Sequence, residues 1–196
     1  MNGERKYQRM KTREEQTESL AGSLLLAHPG MKDSNFRRAV ILLSTHDKEG
    51  AMGIVLNRPM GQTLGAVDGA FAQSELAKIP LFSGGPVQPD RLVICGIGLL
   101  NDGEGLRLHF GLEPHAAESL MREQGDEMEV RAFVGYSGWT AGQLENELKH
   151  DTWAVSQIPS DLFEFGQDES LWKGVISRVS PEWKLLAGEP DHPEFN

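Results

Sequence analysis

The sequence predicts an α+β or mixed α/β fold that is built around a largely antiparallel sheet. Three observations predict it. Short apolar runs follow one another up to residue 110, helical signals fall mainly in the second half, and the two do not alternate as they do in βαβ units. A chain of 196 residues, 39% of them hydrophobic and 24% charged, is long enough to bury a core of its own.

Six apolar runs have the length and composition of strands, and most are apolar throughout, which is typical of strands covered on both faces. In chain order they span residues 23–27, 39–46, 51–57, 79–85, 91–98 and 106–110. The second and third runs flank a loop that ends in Gly50, and this spacing predicts a β-hairpin. Arg58-Pro59 is expected to end the third strand.

Three segments carry helical signals. Pro114 and Gly125 mark the start and stop of the first helix, and Thr140 with Gln143 forms the pattern of a capping box at the start of the second. Asp168 is expected to cap the third helix. One apolar stripe of that helix is predicted to face the core, and it consists of Leu171, Trp172, Val175, Ile176 and Val179.

The segment Gly135-Tyr136-Ser137-Gly138-Trp139 is expected to form a tight corner between a strand and the second helix. Backbone N–H groups at such a corner can hold an anion, or the glycines can simply permit close packing, and the sequence leaves both interpretations open. A nucleophile elbow requires a glycine two residues after its serine, where this chain has Trp139. That mismatch argues against Ser137 as a nucleophile.

Charge and cysteine content exclude several classes of protein. The formal net charge of −10 disfavours direct DNA binding, because the molecule as a whole repels phosphate backbones. One cysteine, Cys95, rules out an internal disulfide and is interpreted as an inert apolar side chain. Six scattered histidines show no ligand spacing, so we expect neither a metal nor a cofactor. Without a signal peptide or a membrane-spanning run, the predicted location is cytoplasmic.

Residues 1–19 are predicted to be a charged, flexible tail. They contain five basic and four acidic residues and a single aromatic, Tyr7, which is too little apolar surface to offset the entropy lost on ordering. Residues 20–196 are then expected to form one domain.

Four blocks of sequence resemble the AlgH/YqgE family of small bacterial proteins. The blocks are GSLLLAHPGM at 22–31 with Asp33, Asn35, Phe36 and Arg37, GAMGIVLNRP at 50–59, GGPV at 84–87, and GYSGW at 135–139 with Gly142, Gln143, Leu144, Glu145, Glu147 and Trp153. The resemblance implies a bent, barrel-like sheet flanked by helices. Some proteins of this family carry the label of transcriptional regulator, but the resemblance brings no catalytic residues and no established activity.

The chain corners within these blocks are the predicted site. We expect them to converge on one surface that binds a ligand, and its candidate residues are Asn57, Arg58, Gly84, Gly85, Ser137, Gly138, Trp139 and Gln143. The favoured hypothesis is a cytoplasmic, non-catalytic regulatory or binding module that acts through a protein or a small anionic ligand. Two alternatives stay open: a hydrolase that uses Ser137 with a histidine such as His28, and a purely structural ion pair for Arg58.

Overall fold

The computed structural model describes residues 19–100 and 106–187, and nine strands within them form one sheet. The strands are β1 (Leu24–Ala27), β2 (Val40–Asp47), β3 (Gly50–Val55), β4 (Pro59–Thr63), β5 (Pro80–Ser83), β6 (Val87–Leu99), β7 (Leu106–Phe110), β8 (Glu129–Thr140) and β9 (Trp153–Ser156). The helices are α1 (Leu64–Val67), α2 (Pro114–Gln124), α3 (Gln143–Lys149), α4 (Glu169–Val179) and α5 (Pro181–Ala187). The predicted tail lies, apart from Ser19, outside the described residues.

The sheet is largely antiparallel, as the sequence predicts. Its main path runs β4-β5-β8-β3-β2-β1-β9, β6 pairs with β7 and β8, and the single parallel pairing in the described chain joins β5 to β8. The predicted hairpin is confirmed, with Asp47 opposite Gly50 at its closed end. The curled sheet with helices around it confirms the bent, barrel-like architecture that the family resemblance implies.

Strand β8 joins the two halves of the sheet. It pairs with β5 up to Val134 and with β6 up to Tyr136, and from Ser137 onward it pairs with β3. Gly135, with φ of +70°, lies at the change of partners, because a left-handed residue bends the strand at low cost only when it is glycine. The expected corner at residues 135–139 is therefore wrong: this segment is extended strand, and the chain turns later, at residues 141–142.

The inner face of the curled sheet holds the main core. Helix α4 covers it, and the indole N–H of Trp172 donates to the Ala27 carbonyl oxygen at 3.0 Å. The predicted stripe of α4 is confirmed, with Val179 half-buried at its end, and Asp168 caps the helix by accepting from the Ser170 N–H. The buried sheet residues of this core include Leu24, Leu26, Val40, Leu42, Ile54, Phe82, Val93, Cys95, Ile97 and Phe133.

The outer face carries two smaller cores, which explains why several strands are apolar on both sides. Helix α3 covers the half that contains β1, β2 and β3, where Leu144 packs with Trp139 and Trp153. Helices α1 and α2 cover the other half, where Leu64 and Ala117 pack over β5, β6 and β8. None of the helices in the described ranges is both long and apolar enough to cross a membrane.

Several elements differ from the expectation. Strand β4 begins at Pro59, where the sequence predicts an end, because Pro59 sits on an edge strand that needs no N–H from it. Strand β9, helix α1 and helix α5 are too short to give a periodic signal, and none was predicted. Helix α3 starts at Gln143 with Gly142 as its N-cap, so only half of the capping box forms: the Gln143 side chain accepts from the Thr140 N–H.

Candidate functional site

A polar cleft lies where the loop after β1, the end of β3 and the turn between β5 and β6 meet. We call it the Arg58 cleft. Its volume is about 250 Å³, and it is lined by Ser34, Asn35, Val55, Arg58, Ser83, Gly85, Pro86 and Pro89. The first three of the four family-like blocks each contribute lining residues. Of the predicted site residues, Arg58 and Gly85 line the cleft directly.

Asn57 is buried behind Arg58 and supports the cleft. Its side chain is 1% exposed, and its amide oxygen accepts from the Val40 N–H at 2.9 Å. The amide nitrogen donates to the carbonyl oxygens of Arg38 at 2.9 Å and Asp168 at 3.3 Å. Asn57 therefore ties the end of β3 to the loop before β2 and to the start of α4. It is a structural support of the cleft and is not exposed to a ligand.

Gly85 forms the floor of the cleft, and Gly84 lies next to it, where both residues pack closely against β8. A Cβ on Gly84 would lie 2.3 Å from the Gly135 carbonyl oxygen, and one on Gly85 would lie 2.4 Å from the Tyr136 carbonyl group. Gly85 also has φ of +147°. Hydrogen bonds hold this contact together, because Gly84 donates to Val134 and accepts from Val55. These glycines are required for the close backbone approach to β8.

Arg58 provides the positive charge of the cleft. Its guanidinium donates to the Asn57 carbonyl oxygen at 3.2 Å and to the Arg37 carbonyl oxygen. Burial lowers the pKa of Arg58, nearby Glu169 raises it, and nearby Arg37 lowers it further. Among the described residues no carboxylate lies within ion-pair distance of Arg58, because Glu169 pairs with Arg38 at 2.7 Å. The expected structural ion pair of Arg58 is therefore not observed.

Ser137 adjoins the floor of the cleft but does not reach it. Its side chain is fully buried, and its hydroxyl donates to the Gly84 carbonyl oxygen at 3.3 Å. His28 follows β1, which is three strands from β8, or roughly 14 Å at the usual strand spacing. The His28 ring instead accepts from the Gly30 N–H and packs edge-on against Trp183. The Ser137–His28 pair of the hydrolase hypothesis is not formed.

The remaining predicted residues lie in a second, closed arrangement, the Trp139–Glu147–Trp153 cluster. One carboxylate oxygen of Glu147 accepts from both indole N–H groups, at 2.8 Å from Trp139 and 2.7 Å from Trp153. The other oxygen accepts from the Gln143 amide at 2.9 Å. The indole rings meet edge to face at 6.0 Å. This cluster holds α3 on β8 and β9, and the expected convergence of all the corners on one surface is wrong.

Gly138 and Gln143 lie at the exposed margin of this cluster. A Cβ on Gly138 would make an ordinary contact with Tyr136 at 3.5 Å, so the position does not require glycine. Of the eight predicted site residues, five lie in or behind the Arg58 cleft and three in the closed cluster; whether any binds a ligand stays a prediction. Sequence reasoning missed Ser34, Ser83 and Pro89, which line the cleft without belonging to a recognisable motif.

The described residues offer little for metal or thiol chemistry. No group of three or more potential metal-ligating side chains occurs in the part of the chain that the structure describes. Burial raises the pKa of the Cys95 thiol to about 12, opposed by a backbone hydrogen bond with Gly111, so the thiol is not ionised near neutrality. Its position in the main core agrees with the predicted inert apolar role.

Comparison with known proteins identifies the family of this chain. The sequence model of the family described as AlgH-like matches residues 24–184. The chain belongs to this family. The match extends beyond the four blocks to include α4. A UPF0301 protein of Streptomyces avermitilis is 38% identical over 91% of this chain and 96% of its own length. Another from Parabacteroides distasonis is 33% identical over 90% of this chain and 91% of its own.

Solved structures show the same fold. The solution structure of the AlgH protein from Pseudomonas aeruginosa superposes with a TM-score of 0.62 and 26% identity, covering 92% of this chain and all of that one. The crystal structure of protein DIP2367 from Corynebacterium diphtheriae gives a TM-score of 0.65 at 21% identity, over 86% of this chain and 91% of that one. The AlgH-like family is uncharacterised, so the site must be judged on its own chemistry.

Proposed function

We propose that this chain is a cytoplasmic, non-catalytic binding module that takes a small oxyanion ligand, a carboxylate or a phosphoryl group, in the Arg58 cleft. One observation carries the proposal: a half-buried guanidinium lines a polar cleft and has no carboxylate partner among the described residues. A cation that burial has partly stripped of water binds an anion more strongly than one in solvent does.

Unused donors support an anion over other ligands. A guanidinium has five N–H groups, and those of Arg58 have two partners among the described residues, both carbonyl oxygens. Ser34, Asn35 and Ser83, whose side chains carry hydroxyl and amide donors, also line the cleft, while no acidic residue does. An arginine fork with hydroxyl and amide donors around it is a common arrangement for carboxylates and phosphates.

A regulatory role would follow from ligand binding. The label of transcriptional regulator within the family does not require contact with DNA, and the net charge of −10 argues against such contact. Binding in the Arg58 cleft would bridge the loop before β2, the end of β3 and the turn after β5, so a ligand would tighten three segments that a protein partner could recognise. In this proposal the ligand controls the protein, and a protein partner recognises the ligand-bound form.

The test is a thermal-shift and calorimetric titration with inorganic phosphate, sulfate and acetate. We expect the wild-type chain to be stabilised by at least one anion, and Arg58→Gln to bind it at least about tenfold more weakly, the usual effect of losing a charge-assisted hydrogen bond. Arg58→Lys keeps the charge without the fork and should fall between them. Arg122→Gln removes an equally charged but exposed side chain on α2, and it should leave anion binding unchanged.

Two results would contradict the proposal. One is a wild-type chain that binds none of these three anions. The other is an anion-induced stabilisation that is equal in wild type and Arg58→Gln, because the anion would then bind elsewhere. Each variant is compared by its ligand-induced shift, so a change in baseline stability does not affect the conclusion.

A further inference from the structure

A buried histidine holds the start of the described chain against the body. The side chain of His46, on β2, is 3% exposed, and its ring has two polar partners. The Leu20 N–H donates to Nδ1 at 2.9 Å, and Nε2 lies 3.0 Å from the Glu145 carboxylate. The Ser19 hydroxyl donates to the backbone carbonyl oxygen of His46 at 2.8 Å. The side chain thus bridges the incoming chain and helix α3.

These contacts fix which ring nitrogen carries the proton. A backbone N–H is always a donor, so Nδ1 must act as the acceptor and carries no hydrogen. Nε2 then carries the hydrogen and donates to Glu145. The observed arrangement therefore requires the neutral ring, because a proton on Nδ1 would set two donors against each other 2.9 Å apart.

We propose that His46 is a proton-operated latch for the start of the described chain: the neutral ring accepts the Leu20 N–H, and protonation at Nδ1 breaks this hydrogen bond and releases Leu20. The Glu145 contact does not oppose this switch. Nε2 donates to Glu145 in both forms of the ring, so this contact is kept whether the latch is open or closed. Only the Nδ1 contact distinguishes the two states.

The charged groups around the ring are consistent with this assignment. From α3, Glu145 faces it, and the pKa of Glu145 is lowered by its own backbone N–H and by His46, with burial opposing and Lys149 adding a smaller decrease. Ala51 lies opposite His46 on β3 and is uncharged. Residues 19–22 carry no charge, and Asp47, the next residue of β2, bonds instead to the Glu49 N–H.

Opening the latch would uncover part of the outer core that Leu20 covers. Leu20 packs, partly buried, against the outer core that contains Trp139 and Ala51. Its release would expose an apolar patch beside α3. Acidification is therefore expected to change how this end of the protein is presented to a partner.

The experiment measures amide hydrogen exchange of the full chain as a function of pH, expressed as protection factors so that intrinsic exchange cancels. The Leu20 amide should lose at least about tenfold of its protection as His46 takes up a proton, the usual scale for one lost hydrogen bond. The Leu43 amide, which donates to Ser23 within the body, is the internal control and should stay protected. ¹⁵N chemical shifts of the His46 ring report its tautomer and its titration directly.

Two variants of similar shape separate the contacts. His46→Asn keeps an acceptor near the Nδ1 position but cannot titrate, so Leu20 protection should no longer depend on pH. His46→Gln keeps a donor near Nε2 but no acceptor near Nδ1, so Leu20 should be unprotected at every pH. Protection of Leu43 shows in each case that the body is folded.

Three outcomes would overturn the latch. The first is a neutral His46 ring with its proton on Nδ1. The second is wild-type Leu20 protection that stays constant while the His46 ring titrates. The third is the same pH-dependent loss in His46→Asn, which would assign the effect to another group.

Discussion

The Arg58 cleft and the Trp139–Glu147–Trp153 cluster are both built from the family-like blocks, but they differ in how fully the fold uses their hydrogen-bonding groups. In the closed cluster, Glu147 accepts from both indoles and from Gln143, so each polar group has a partner within the protein. In the cleft, the Arg58 guanidinium has two carbonyl partners for its five N–H groups.

This difference assigns a structural role to the closed cluster and a binding role to the cleft, although both contain family-like residues. A closed network of buried polar groups positions α3 on the sheet and leaves nothing for a ligand. A charged group whose donors are only partly satisfied, beside hydroxyl groups that line the same cleft, has the capacity to bind. The comparison predicts that substitutions in the closed cluster change stability, whereas substitution of Arg58 changes ligand binding.

The largest loss of stability is expected for Gly85→Ala, which tests the close approach of Gly85 to β8. The new methyl group would meet the Tyr136 carbonyl group at 2.4 Å, and φ of +147° is strained for alanine. Backbone strain and overpacking together should cost about 3 kcal/mol or more in the free energy of unfolding. Urea unfolding measures this loss.

Gly138→Ala is the matched control, since the same change falls in another of the family-like blocks. Its methyl group would lie 3.5 Å from the Tyr136 ring, and φ at Gly138 is not positive. We expect a change within about 0.5 kcal/mol, typical of an unconstrained surface position. Equal losses at Gly85 and Gly138 would show that the close backbone approach does not hold the cleft together.

Much of the fold could be predicted from the sequence because its signals are local. The hairpin closed by Asp47 and Gly50, the α2 stop at Gly125 and the Asp168 cap each depend on neighbours a few residues apart. The bend at Gly135 could not be predicted in the same way. A glycine can end a strand or bend it, and the choice depends on β3 and β5, which pair with β8 from distant parts of the chain.

The site was predicted only in part for a related reason. Asn57-Arg58 and Gly84-Gly85 were expected to lie together, and they do, because Ser83 and Gly84 hydrogen-bond to Arg58 and Val55. The sequence groups Trp139 with them because Gly138-Trp139 is expected to form a chain corner. Its indole packs instead on Trp153, and a contact between residues on separate strands leaves no local signal in the sequence.

A smaller effect is expected in the closed cluster. Glu147→Ala would leave two indole N–H groups without their acceptor on largely buried side chains, Trp139 at 7% exposure and Trp153 at 4%. The expected loss is about 2–3 kcal/mol in the free energy of unfolding, since each unsatisfied buried donor carries a desolvation penalty. Tryptophan fluorescence during urea unfolding measures the loss.

Glu147→Gln separates the loss of charge from the loss of the acceptor, because the new amide oxygen can still accept from the indoles. We expect it to lose less than half as much stability as Glu147→Ala. Neither variant should alter anion binding in the Arg58 cleft. A loss of anion binding in Glu147→Ala at a temperature where the chain is folded would show that the two regions act as one site.

The smallest effect concerns Asp168, at the edge of the Arg58 cleft, where its carbonyl oxygen accepts from Asn57 and its side chain caps α4. The Ser170 hydroxyl, followed by the Ser170 N–H, lowers the pKa of Asp168. Asp168→Ala should lower the urea midpoint at neutral pH by less than Glu147→Ala does, because the carboxylate is exposed to solvent. Asp168→Asn retains a capping oxygen and should remain close to wild type.

The sign of the pH dependence follows from that lowered pKa. The cap contributes its full stability above the pKa of an unfolded aspartate, about 3.9, and loses it as the pH falls through the lower pKa of the folded state. The difference in urea midpoint between wild type and Asp168→Ala should therefore narrow below about pH 4, whereas the difference between Asp168→Asn and Asp168→Ala should not. If the first difference stays constant down to pH values where Asp168 is protonated, the carboxylate does not stabilise the start of α4, and the support of Asn57 at this edge of the cleft comes from the backbone carbonyl alone.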